Sequence, residues 1–191
     1  MEDKPQQCVI PLHKPSLREL VFFFFSGVLV SIPFAVVFEQ LTSTFISTAL
    51  LVIVLAPFIE ELAKVFPLFY RHGETERSLV TLGILIGLGF GVSEFFLYVF
   101  IYDVPWIVRI PGVIFHASTA AVTAYGIAKK KPLGYYLISV TLHASNNFFA
   151  VYFVTEATAA FGVLAELIIL VIVYLLAWHF YHKASTEKMV V

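Results

Sequence analysis

The sequence predicts an all-α, polytopic membrane helix bundle of about six transmembrane helices, and three observations predict it. The chain is 60% hydrophobic and 13% charged, with a mean hydropathy of +0.91, against about 45–50% apolar and about 25% charged residues in an average soluble domain. Its apolar residues gather in six runs, each near the roughly 20 residues that a bilayer helix needs. Its basic residues gather between those runs.

The runs are 20–38, 45–70, 79–102, 106–128, 133–154 and 160–181. The breaks at 39–44, 71–78, 103–105, 129–132 and 155–158 hold the charges, prolines and polar residues of interfacial turns. Lys4, Lys14 and Arg18 precede the first run as they would in a signal peptide. The run is long and no small-residue cleavage site follows it, so a retained first helix is expected. The expected organisation is one domain: a cytoplasmic segment 1–19, a bundle 20–181 and a cytoplasmic tail 182–191.

Basic loops resist translocation, so the basic residues predict sidedness. With a cytoplasmic N-terminus, the inner segments hold Lys4, Lys14, Arg18, Arg71, Arg77, Lys129, Lys130, Lys131, Lys183 and Lys188. The outer segments hold only Arg109, and Lys64 lies within a span. His72, His179 and His182 fall at helix ends, where an interfacial position suffices. The net charge of −1 and the absence of a basic footprint exclude nucleic acid as a partner. Cys8 is the only cysteine, which excludes a disulfide framework and a cysteine-based metal site.

Several ionisable residues lie where lipid should be. An ionised side chain at mid-bilayer costs at least about 2.5–3.5 kcal/mol, so such groups are normally paired, interior and functional. The second run carries Glu60, Glu61 and Lys64, the third Glu94, the fourth His116, the fifth His143, Asn146 and Asn147, and the sixth Glu166. At about 1.5 Å per residue, Glu60, Glu94, His116 and His143 all fall roughly 15–22 Å from the cytoplasmic ends of their helices. Groups of four alternating helices thus meet at one level. Glu166 and Asn146 stand apart as helix-bridging or snorkelling residues.

Local spacing supports convergence. Glu60 and Glu61 each reach Lys64 on a helical face, and His143 and Asn147 share another. Gly83, Gly87 and Gly91 form a stripe for close helix approach, and Glu94 falls on the same face. Pro57 predicts a kink just before the glutamate pair, in a wet or protein-lined cavity.

The residues also exclude chemistries. No HExxH or GxSxG occurs, and the only aspartates, Asp3 and Asp103, lie outside the depth of any span. Glutamate or metal chemistry is left. Glu60 or Glu61 could act as general base on a water, with His143 and Asn147 as oxyanion donors and His116 orienting water. Equally, Glu60, Glu94, His116 and His143 could hold a Zn²⁺ with an open position. Spacing does not decide between the two.

The chain resembles the PrsW branch of the CAAX-protease-like intramembrane endopeptidases. The resemblance rests on Glu60-Glu61-Leu62-Ala63-Lys64 (EExxK), Phe90-Gly91-Val92-Ser93-Glu94 (FxxxE), the lone His116, and His143-Ala144-Ser145-Asn146-Asn147 (HxxxN), in order and on separate predicted helices. The Ras-converting CAAX endopeptidases look similar but have arginine after the glutamate pair and histidine where Glu94 stands, which argues against a prenylated substrate. The resemblance implies an intramembrane endopeptidase acting on membrane-anchored protein substrates, in PrsW itself an anti-sigma factor. It implies Glu60 as base, Glu61 paired with Lys64, Glu94 and His116 supporting the water, and His143 with Asn147 at the oxyanion. Many members are labelled metalloproteases. A non-enzymatic membrane scaffold and a proton- or metal-coupled transporter are the competing expectations; the retained glutamate pair opposes the first, and the absence of internal repeats opposes the second.

The sidedness is tested by single cysteines in a Cys8→Ser background. Val104→Cys should react with a membrane-impermeant thiol reagent added outside intact cells, and Lys130→Cys should react only after permeabilisation.

Overall fold

The computed structural model describes residues 13–71, 74–153 and 155–190. Lys4, Cys8 and His72 lie outside them. Ser16 caps the first helix, α1 (Leu17–Ser26), through a reciprocal capping box with Glu19. The chain passes through a π-helical turn, Gly27–Ser31, into α2 (Ile32–Ser43). Ser47 caps α3 (Thr48–Leu50), followed by a second π turn, Leu51–Leu55, then α4 (Ala56–Val65) and a 3₁₀ turn, Phe66–Tyr70. Four longer helices follow: α5 (Glu76–Phe100), α6 (Trp106–Ala128), α7 (Pro132–Tyr152) and α8 (Ala159–Lys183).

With α1–α2 and α3–α4 each forming one near-continuous rod, six rods stand where six apolar runs were expected. The expected break at Pro57 takes a different form. Proline needs no backbone donor in a first helical turn, and Pro57 starts α4 while the irregularity lies just before it, in the π turn. Among the described residues, α5, α6 and α8 are each long and apolar enough to cross a membrane. Leu164, Ile168, Ile172 and Leu175 project outward from α8 and are exposed, as a lipid-facing surface requires.

The centre of the bundle is the seam between α5 and α6. A Cβ at Gly87 would lie 2.4 Å from the His116 carbonyl oxygen and 2.7 Å from the Ala120 Cβ. Gly83 and Gly91 meet α6 in the same way, so the expected stripe is the contact face. The opposite edge of α5 is as close: a Cβ at Gly89 would lie 2.0 Å from the Phe24 carbonyl oxygen of α1. Around this centre, Phe115, Val122 and Tyr125 of α6 pack on Ile169, Val173 and Ala177 of α8. Thr123 donates to Ser139 (2.9 Å), which donates to the Thr119 carbonyl (2.9 Å) and ties α6 to α7.

A clasp closes one end. The first backbone N–H groups of a helix have no partner within it; those of Glu76 and Arg77 donate to the carbonyls of Lys188 and Ser185, each at 3.0 Å. The Glu76 carboxylate accepts from Lys129 (2.5 Å) and from the Ser185 N–H (2.9 Å). The hydrogen bond that Lys129 donates to Glu76 raises its ammonium above the usual lysine pKa. Residues 184–190 thereby join the start of α5 to the end of α6.

Gly87→Ala should destabilise the bundle by about 1–3 kcal/mol, because overpacking forces backbone apart. Gly134→Ala, with nothing within 4 Å of its added Cβ, should be neutral or stabilise by about 0.4–1 kcal/mol. Reversible unfolding of both variants in mixed micelles checks the contrast.

Candidate functional site

Four helices each present ionisable groups to one interior cluster. Glu60, Glu61 and Lys64 come from α4, Glu94 from α5, His116 from α6 and His143 from α7. Lys64 and Glu61 are fully buried. The Lys64 Nζ donates to Glu61 Oε1 (2.5 Å), His116 Nδ1 (2.9 Å) and Thr119 Oγ1 (3.2 Å). An ammonium has three N–H donors, so each is used.

These partners assign the histidine tautomers. His116 Nδ1 accepts from Lys64, so its proton sits on Nε2 and is donated to Glu94 Oε2 at 2.6 Å. Glu94 Oε2 also accepts from Arg109 Nη2 at 3.0 Å. Glu61, ionised beside the ammonium, accepts from His143 Nδ1 at 2.8 Å. His143 Nε2 therefore carries the lone pair, and it lies 3.8 Å from Glu60 Oε2. The two imidazoles meet edge-on with centroids 5.3 Å apart. Phe90 packs on His116 and Phe115 on His143, at 5.0 and 5.4 Å between centroids. Apolar walls strengthen each charge–charge contact inside.

Glu60, His116 and His143 offer one ligand atom each, all within 4.8 Å of one another. Three N/O donors at that spacing suit a catalytic zinc site that keeps a position for water. The carboxylate behind His143 is the outer support such ligands usually have. Both nitrogens of His116 are hydrogen-bonded, Nδ1 to Lys64 and Nε2 to Glu94, so His116 would have to exchange one of these partners to hold a metal. Glu94 is placed differently from the expected ligand set, held between His116 and Arg109 outside the three-donor group.

Asn147 lies one turn beyond His143 and donates from Nδ2 to the Val52 carbonyl at 2.9 Å, within the second π turn. An amide has two N–H donors, so a second remains. Glu60 and Glu94 border a cavity of about 340 Å³ that continues past Leu97 and Tyr98 of α5, Tyr102 just beyond it, and Val36 and Gln40 of α2. Its lining runs toward the C-terminal ends of α2 and α5, the end of the bundle opposite Arg71 and Lys129.

Two partners escaped the sequence reading. Arg109 stands seven residues before His116 and Thr119 three after it, and that helical spacing puts all of them on one face. The signal was present but needed His116 as an origin. A second group, His13, Glu19 and Glu74, also brings donors within 4.8 Å. The Arg71 guanidinium already occupies it, donating to His13 Nε2 (2.9 Å) and pairing with Glu74 (2.6 Å) and Glu19. Burial nonetheless raises the Glu74 carboxyl above the usual carboxylate range.

A family profile described as PrsW family intramembrane metalloprotease matches residues 15–178. No curated protein and no solved structure matches the chain.

Removing Lys64 leaves a buried carboxylate without its ammonium. Lys64→Met should destabilise the bundle by about 3–5 kcal/mol, whereas Lys64→Met with Glu61→Gln should cost less than the sum of the single changes. Unfolding of the double-mutant cycle in micelles measures the difference.

Proposed function

We propose that this chain, which belongs to the PrsW family of intramembrane metalloproteases, hydrolyses peptide bonds of membrane-anchored protein substrates at the Glu60, His116 and His143 cluster. The observation that carries the proposal is the approach of His143 Nε2 to Glu60 Oε2, at 3.8 Å, beside a cavity that also reaches Glu94. A basic group and a proton-accepting imidazole there face the same space. The bundle acts as one domain, with both termini cytoplasmic and the cavity open toward the outer face.

In the proposed reaction, Glu60 takes a proton from water as the water oxygen bonds to the scissile carbonyl carbon. The same proton passes to the departing amine nitrogen as the C–N bond breaks. Peptide hydrolysis needs donors for the oxyanion, and the second N–H of Asn147 supplies one. His143, one turn before Asn147 on the same face of α7, completes the proposed oxyanion site. Lys64 fixes Glu61 and His116 together, and Glu94 sets the plane of the His116 ring. In a metal-dependent form of the reaction, Glu60, His116 and His143 would instead hold the metal that the family description implies, and the chemistry supplied there would be a more acidic bound water and a polarised carbonyl.

Glu60→Gln and His143→Ala should each lower cleavage of a single-span substrate in proteoliposomes by about 10²–10⁴-fold, the usual worth of a general base. Both variants should melt as the parent protein does. Loss of cleavage on chelation and its return with zinc would assign the cation. Glu60-dependent ion flux without cleavage would overturn the proposal in favour of transport.

A further inference from the structure

Arg109 is the one basic residue that the sequence places toward the outer face, and its side chain turns inward. It lies in the first turns of α6, two turns before His116. Two turns of α-helix span about 10.5 Å, and Glu94 of α5 fills that interval. A single oxygen, Glu94 Oε2, accepts from Arg109 Nη2 at 3.0 Å and from His116 Nε2 at 2.6 Å. The guanidinium lies over the Tyr98 ring, 3.9 Å from its centroid. Tyr98 is one turn beyond Glu94 on α5, so α5 supplies both the acceptor and the platform for one α6 side chain.

We propose that Arg109 is a positioning residue for the proposed peptide hydrolysis: it locks Glu94 against His116 and so fixes the orientation and tautomer of that imidazole. The proposal rests on the function proposed above. A carboxylate this buried, with a side chain 16% exposed, remains ionised only beside a cation. Lys64 is already saturated by Glu61, His116 and Thr119. Arg109 is the cation paired with Glu94 among the described residues. Without it, Glu94 would be free to turn into the adjoining cavity that it borders, and the Nε2–H of His116 would lose its acceptor. The ring could then rotate away from Lys64. Arg109 meets Glu94 and the Tyr98 ring, so its effect reaches the reaction through Glu94 and His116.

The test combines kinetics with a measurement that needs no turnover. In proteoliposomes with a single-span fluorogenic substrate, Arg109→Gln should lower kcat about 10–100-fold with KM unchanged, the scale of supporting-residue losses at such sites. Arg109→Lys should recover much of it, since a cation is restored without the fork. In full-length, ¹⁵N-histidine-labelled protein in chelator-containing micelles, His116, identified through His116→Gln, should show the Nε2–H tautomer in the parent. Arg109→Gln should mix the tautomers and Arg109→Lys should keep the parental pattern. An unchanged His116 spectrum in Arg109→Gln, an unchanged kcat, or a rise in KM alone would overturn the proposal. If the parent cleaves nothing, the proposed function fails while the spectra still decide the place of Arg109.

Discussion

The buried ammonium of Lys64 is the constraint on which the rest of the site depends. Its three hydrogen bonds reach Glu61 on its own helix and His116 and Thr119 on α6, and Glu61 extends the set to His143 on α7. Removing a charge from water is costly, so the bundle holds Lys64 only because every donor is met. Saturation also dictates the neighbours: an acceptor at His116 Nδ1 forces a donor at Nε2, and an ionised Glu61 forces a donor at His143 Nδ1. The two histidines thus meet in opposite protonation patterns, one giving a proton to Glu94 and the other presenting a lone pair toward Glu60. That asymmetry separates a residue that is oriented from a residue that is ready to react.

The scaffold around the ammonium divides its work between close packing and irregularity. Glycine brings α5 against α6 on one edge and against α1 on the other, which fixes the depth of Glu94 relative to His116. The π turns lie on the other helices. A π turn releases backbone carbonyls, and the one at Leu51–Leu55 gives Val52 to Asn147. The HxxxN spacing therefore serves the fold of α3–α4 as well as the proposed reaction.

Much of this was legible in the sequence, for particular reasons. The six rods follow from apolar runs separated by polar breaks, because lipid imposes length and hydropathy together. The meeting of Glu60, Glu61, Glu94, His116 and His143 at one level follows from helical rise. The glycine stripe pointed Glu94 at α6. What spacing could not give was the pairing inside the cluster. Glu60 and Glu61 both reach Lys64 by helical geometry, and only the packing of α6 and α7 shows that Glu61 takes it. Arg109 was assigned by charge to the outer segments, because sidedness counts charge and not the direction of a side chain. Residues 184–190 carry no apolar pattern, so their docking on α5 had no signal at all.

The glycine contacts of α5 also bear on how this kind of protein can diversify. Where a carbonyl stands 2.4 Å from any Cβ that could be added at Gly87, the α5–α6 seam cannot be respaced one residue at a time. The walls contributed by Val36 and Gln40 of α2 are not bound in that way. Side chains on that wall can change in size or polarity, and so recontour the cavity, without prying α5 from α6.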